Sequence, residues 1–188
     1  MDYENPIVTI QMATGEVVKL VLFPDIAPNT VSSFIDLANR GKYNGKKILR
    51  IVKGYLIQPN YHYFDDNECN YFIELEFKKE GHSYALPLDK WVVAMAVDGK
   101  GLASGSEFFF SMGDNKEQLN GIVPGFGKVI EGFEVLDRIE NVETCIIDIG
   151  IPGISINEPI CPEIIESISI DTFGFNYSKP IIKEAKNV

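Results

Sequence analysis

The chain is poor in the features that mark several common classes of protein. Its three cysteines, Cys69, Cys145 and Cys161, are odd in number and widely spaced, with no C-x-x-C pair, so neither a disulfide framework nor a zinc site is indicated and free thiols are expected. The two histidines, His62 and His82, fall in expected loops with no nucleophile partner and receive no role. Lysine and arginine number 17 against 27 aspartates and glutamates, for a formal net charge of −10 with no basic run. Phosphate binding rests on an excess of lysine and arginine, so nucleic acid and anionic membrane surfaces are excluded as partners. The opening Met1-Asp2-Tyr3-Glu4-Asn5-Pro6 has no basic n-region or apolar h-region, and no apolar run is long enough to span a bilayer, so a cytoplasmic location is expected. There is no internal repeat and no sign of a second domain, and residues 1–188 are read as one unit.

What the chain does have is an ordinary globular composition, 45% hydrophobic and 23% charged, enough for one domain with a full core. Ile7 to Met12 and Glu16 to Phe23 are β-rich runs split by Ala13-Thr14-Gly15, with Val18, Leu20 and Leu22 alternating onto one face, which predicts an opening hairpin. Pro28 suits a first helical turn, Val31, Phe34, Ile35 and Ala38 recur at helical spacing, and Gly41 supplies the stop. Pro59 to Asn70 reads as a polar-aromatic loop, Tyr71 to Phe77 as an alternating strand, Trp91 to Val97 as a buried strand and Gly132 to Ile139 as a short helix. Residues 143–162, with three prolines and two glycines, are expected to form an irregular connection before a closing strand over 163–174, and 177–188 to trail as a partly mobile tail. Many short strands with only two helices point to a mainly β fold, a closed antiparallel barrel that leaves no sheet edge. Gly99-Lys100-Gly101 before Gly105 lacks the spacing of a nucleotide loop, and Asp65-Asp66-Asn67-Glu68 lacks that of a calcium loop, so both are read as surface features.

Three stretches carry the chemistry. Ile48 to Gln58 (I-L-R-I-V-K-G-Y-L-I-Q) is two strand segments hinged at Lys53-Gly54, with Arg50, Tyr55 and Gln58 offering a cation, an apolar plate and an amide on neighbouring strands. Ala103 to Gly113 is a small-residue turn feeding a strand with three consecutive phenylalanines, of which only alternate ones share a face. Gly125-Phe126-Gly127-Lys128-Val129-Ile130-Glu131-Gly132 follows, preceded by Leu119-Asn120-Gly121. In this order the segments resemble the cyclophilin family of peptidyl-prolyl isomerases, over roughly Ile7 to Val142 and again over Ile164 to Gly174, where E-S-I-S-I-D-T-F-G is similar to the family's closing strand.

The resemblance implies a cyclophilin-like β-barrel of eight antiparallel strands capped by two α-helices, acting on proline-containing polypeptides as a monomer without cofactor or metal and assisting protein folding. The reaction implied is rotation about the X–Pro amide, whose resonance sets a barrier of about 18–20 kcal/mol. By resemblance Arg50 and Gln58 are the catalytic pair: Arg50 donates towards the prolyl nitrogen, whose lone pair is free only in the twisted amide, and Gln58 orients Arg50. Tyr55, Leu56, Phe109 and Leu119 match the slot for the proline ring, Ala96 matches a backbone position that pairs with the substrate chain, and Glu107 and Val123 complete the substrate-binding set. Tyr55 replaces the usual phenylalanine. Glu107 stands where the family has glutamine, Val97 where asparagine is common, Val123 where a histidine often sits, and Gln118 where many members carry tryptophan or histidine; the glycine-rich run after the glutamine is also absent. Two readings therefore stay open. One is an active isomerase, favoured by Arg50 and Gln58. The other is a catalytically weak or inactive proline-peptide binding module, favoured by Glu107, Val97 and the changed loop.

Overall fold

A computed structural model of the chain describes residues 4–60, 66–76, 86–98 and 101–185. His62, Asp65, Phe77, His82, Gly99 and Lys100, on which several of the expectations above fall, lie outside these residues. The opening hairpin is present as β1 (Ile7–Met12) and β2 (Val17–Leu22). Both strands alternate strictly, so that Val8, Ile10 and Met12 join Val18, Leu20 and Leu22 on one buried face. Helix α1 (Pro28–Asn39) then buries Val31, Phe34, Ile35, Leu37 and Ala38. It stops because Gly41 takes φ +69°, which lets the Gly41 and Lys42 amides donate to the Ala38 and Leu37 carbonyls at 2.9 and 3.0 Å.

The start of α1 is capped from far along the chain. Ala27 at the N-cap offers no side-chain oxygen. Instead Glu76 accepts from the Asn29 amide at 2.9 Å and from the Thr30 amide and hydroxyl, both at 2.7 Å. A carboxylate here meets unpaired N–H groups and the positive end of the helix dipole together.

The remaining strands are β3 (Ile48–Val52), β4 (Leu56–Pro59), β5 (Tyr71–Glu74), β6 (Val92–Val97), β7 (Leu102–Ser111) and β8 (Gly125–Glu131), followed by β9 (Thr144–Asp148), β10 (Ser155–Pro159), β11 (Ile165–Asp171) and β12 (Glu184–Ala185). Two further helices, α2 (Lys116–Leu119) and α3 (Phe133–Glu140), flank β8. Eight strands follow one antiparallel path, β11-β1-β2-β8-β6-β7-β4-β3. This is the expected eight-stranded sheet, curled so strongly that its two end strands meet. Lys47 bridges Ile164, the Ile48 amide donates to the Glu163 carbonyl and the Ile165 amide to the Lys46 carbonyl, both at 2.8 Å. Helix α1 packs against β5, β7 and β11, and α3 against β2 and β4. Among the described residues no helix is long and apolar enough to cross a membrane.

Four details differ from the expectation. The stretch 143–162 is not irregular throughout, because β9 and β10 pair into an antiparallel ribbon; T-C-I-I-D is β-branched enough to extend, Pro152 lies between the strands and Pro159 ends β10. The tail does not trail from 177. Asn29 clasps Ile181 through its main-chain N–H and C=O at 2.7 and 3.1 Å, and β12 pairs with β5. Ala103 to Ser106 is part of the ten-residue β7 rather than a turn before it. Finally, the surface acids Asp66 and Glu68 take partners that the sequence does not name: Lys42 pairs with both and Arg40 with Glu68.

One ion-pair network ties the start and end of the sheet to α3. Arg138 donates to both Glu16 oxygens at 3.0 and 2.6 Å and to both Glu163 oxygens at 2.5 and 2.9 Å. The Arg138 guanidinium, with the Thr14 hydroxyl, holds the Glu16 carboxyl below the usual glutamate range. A depressed carboxylate contributes its stability in full above its unfolded value of about 4.3 and loses it as the pH falls through the lower folded value. The urea midpoint is therefore expected to fall on acidification below about pH 4.3, and Arg138→Gln to shrink that part of the fall. Separately, Glu76→Ala is expected to cost about 1–2 kcal/mol in urea unfolding, the range for losing a helix cap, with Glu76→Gln recovering part of it.

Candidate active site

Strands β3 and β4 form a tight hairpin turned by Lys53-Gly54, with Gly54 at φ +72° and the Tyr55 amide donating to the Val52 carbonyl at 2.9 Å. In this register Arg50 lies directly opposite Gln58. Arg50 Nη1 donates to Gln58 Oε1 at 3.4 Å, with Gln58 only 2% exposed and Arg50 partly so. The arginine is thus carried on a sheet face beside an amide whose position is set by burial.

The floor of the site comes from β7. Phe108 and Phe110 point into the barrel, where Phe108 stacks edge-on against Phe34 and Tyr43 with centroids 5.2 and 5.4 Å apart. Strand alternation sends Phe109 the other way, into a second, smaller apolar cluster with Leu56, Leu88, Ala94, Leu119 and Val123. Between β6 and β7 the register jumps from Met95–Phe108 to Val97–Ala103. The extra β7 residues form a buried bulge, and the Ser104 hydroxyl holds it by accepting from the Ser106 and Glu107 amides at 3.3 and 3.0 Å. The bulge needs a glycine at position 105. A Cβ there would sit 2.0 Å from the Tyr71 ring, whose hydroxyl shares Ser33 with the Gly105 carbonyl.

A cavity of about 240 Å³ opens on this outer face, lined by Arg50, Tyr55, Leu56, Gln58, Ala96, Val97, Glu107, Phe109, Leu119 and Val123. All nine residues singled out from the sequence line it, together with Val97. Its walls are graded: Leu56, Phe109, Leu119 and Val123 are buried and apolar, Gln58 and Glu107 are buried and polar, and Arg50 and Tyr55 stand partly open to solvent. Glu107 is 6% exposed, and Arg50 is the only basic side chain in the lining. Gln118 is exposed and outside it. Chemically the cavity offers an apolar slot with one cation, one amide and one carboxylate at its margin, suited to a small apolar ring attached to a peptide.

Asn115 is a supporting residue that the sequence reading passed over. It occupies the N-cap position of α2 but makes no cap bond there. Its amide donates instead to the Tyr55 carbonyl at 2.8 Å and to the Ser111 hydroxyl at 2.9 Å, tying the β3–β4 hairpin to the end of β7. Next to it Gly113 lets the hairpin approach, since a Cβ would lie 2.2 Å from the Gly54 carbonyl oxygen. An asparagine before a helix reads locally as a cap, and nothing in the sequence marks its distant partner.

Comparison with known proteins bears on the same residues. The family model described as cyclophilin type peptidyl-prolyl cis-trans isomerase/CLD matches residues 7–156. The chain is 30% identical over 128 residues to peptidyl-prolyl cis-trans isomerase B of Bacillus subtilis, covering 68% of this chain and 85% of that one. It is 31% identical over 142 residues to peptidyl-prolyl cis-trans isomerase-like 1 of Mus musculus, covering 76% and 84%. A crystal structure of a cyclophilin type peptidyl-prolyl cis-trans isomerase from Cryptosporidium parvum, solved in the presence of the dipeptide Ala-Pro, superposes with a TM-score of 0.67 at 27% identity over 88% of this chain and 98% of that one. Fold, matched span and relatives agree, and the chain belongs to the cyclophilin-type peptidyl-prolyl cis-trans isomerase family as a divergent member.

Proposed function

We propose that the chain catalyses cis–trans rotation about X–Pro peptide bonds in flexible or unfolded polypeptides, assisting their folding, with Arg50 and Gln58 as the catalytic pair. The observation that carries this reading is the placement of Arg50, held beside Gln58, on the wall of the same cavity whose floor is Phe109, Leu56 and Leu119. The proline ring sits in the apolar slot, against the plate of Tyr55. Ala96 lies where β6 loses register with β7, which frees its main chain to pair with the substrate backbone. Rotation breaks no covalent bond, so the site must only bind the twisted amide more tightly than either planar isomer. When conjugation is lost the prolyl nitrogen becomes pyramidal and gains a lone pair, and Arg50 supplies a hydrogen bond that is strongest at that point. Each ~1.4 kcal/mol of such preference is worth tenfold in rate.

A second reading, a proline-peptide binding module with weak turnover, is favoured by Glu107. A buried carboxylate in the same cavity as a guanidinium draws the two together, and pairing holds Arg50 away from the prolyl nitrogen. Val97 adds to this by presenting no donor or acceptor where the substrate backbone passes.

Two measurements separate the readings. In an isomerisation assay on a short X–Pro peptide, Arg50→Ala is expected to lower kcat/KM by about tenfold or more, roughly 1.4 kcal/mol of transition-state stabilisation, with unchanged circular dichroism. Equal efficiency in the two proteins would remove Arg50 from the mechanism. In the same assay Glu107→Gln is expected to be faster than wild type, because a neutral amide can still bond substrate but competes less for the guanidinium. A variant no faster than wild type would clear Glu107 and leave Val97, or the loop following Pro59, as the cause of any shortfall.

A further inference from the structure

The ribbon of β9 and β10 is not used by the proposed reaction, and its chemistry is unlike that of the rest of the molecule. Strand β10 lies alongside β3 and buries Ile156 and Pro159, so the ribbon is seated on the barrel through one strand. Strand β9 is on the outside. It pairs only with β10 among the described residues and is exposed along almost its whole length, with Ile146 75% exposed. Soluble proteins usually blunt such an edge with lysine or proline; T-C-I-I-D has neither. The Ile160 amide donates to the Glu143 carbonyl at 2.9 Å, and antiparallel alternation from that pair turns the Cys145 and Ile147 main chains towards β10. The N–H and C=O groups of Thr144, Ile146 and Asp148 therefore face the open edge. At the tip, Ile146, Asp148, Ile151, Pro152 and Ile154 line a shallow cavity of about 610 Å³.

Charge decides what fits there. Between Arg138 and Lys179 the sequence has no lysine or arginine at all, but it has Glu140, Glu143, Asp148, Glu158, Glu163, Glu166 and Asp171. The basic residues that the fold brings beside this stretch lie at its ends: Arg138 on Glu163, Lys53 on Asn141, and Lys46 and Lys47 beside Ile164 and Ile165. A second copy pairing through β9 would bring this acidic stretch, which holds no lysine or arginine, up against itself, like charge against like. An extended segment alternating basic and apolar residues meets the open main-chain groups, the exposed isoleucines and the acidic surround together. We propose that β9 is a docking edge for basic, extended polypeptide segments, which add to the ribbon as a third strand, separate from the proline cavity.

The test uses the full chain and a short proline-free peptide alternating lysine with valine, labelled for fluorescence anisotropy, with a glutamate–valine peptide as its counterpart. The lysine peptide is expected to bind, more weakly as salt is raised, and the glutamate peptide not to bind. Ile146→Lys should weaken binding by about tenfold or more, as should Ile146→Pro, which removes an outward N–H without touching the β9–β10 bonds; thermal melts establish that each variant is folded. Arg50→Ala should leave binding unchanged, which keeps this result separate from the fate of the isomerase reading. The proposal is overturned if the lysine peptide does not bind, if both peptides bind equally, if folded Ile146→Lys binds as wild type does, or if Arg50→Ala abolishes binding. Sedimentation showing a dimer that Ile146→Lys dissociates would assign the edge to a second copy instead.

Discussion

Strand β7 is the constraint from which the rest of the molecule follows. It is buried on both faces over nearly its whole length and shares its edges with β4, β5 and β6. One face, through Phe108 and Phe110, fills the barrel with rings that pack edge to face; the other, through Phe109, floors the external cavity. Three consecutive phenylalanines therefore belong to two different apolar clusters, and a slip of one residue would exchange them. Core stability and cavity shape are in this way the same property of one strand.

The cavity also depends on how the partners of β7 are pinned to it. The β3–β4 hairpin brings Arg50 and Gln58 opposite each other, but its distance from β7 is fixed at the far end by Asn115 and by the bare backbone of Gly113. On the other side the Ser104-supported bulge turns the main chain so that Glu107 and Phe109 open onto the same cavity. The first device lies at the hairpin turn, whereas the bulge also rests on the core through Gly105 against the Tyr71 ring.

Most of this was legible in the sequence where the signal was local or ordered. The alternation in β1 and β2 and the spacing of Val31, Phe34, Ile35 and Ala38 report burial directly, and both elements are present. The nine residues that the family resemblance names line one cavity. What was not legible rests on partners distant in sequence. Glu76 caps a helix 46 residues away, Asn29 clasps the C-terminal segment across 152 residues, and Asn115 holds Tyr55 across 60. The ribbon was hidden for another reason: glycine and proline at positions 150, 152 and 153 mark irregular chain, whereas here they make the turn between two strands.

The division between apolar frame and polar margin explains why family membership and catalytic rate are separate questions here. The residues that give the cavity its shape, Leu56, Phe109 and Leu119, are apolar and buried. Rate depends on a differential interaction with the twisted amide, which only polar groups at the right positions can supply. Arg50 and Gln58 are present and adjacent, whereas Glu107 introduces a charge of opposite sign into the same small volume. An electrostatic term in a partly dry cavity is large compared with the difference between one apolar side chain and another of like size. On the proposed function, a single carboxylate would lower turnover strongly while leaving the apolar slot unchanged, and the outcome would turn on which partner the guanidinium of Arg50 faces when substrate enters.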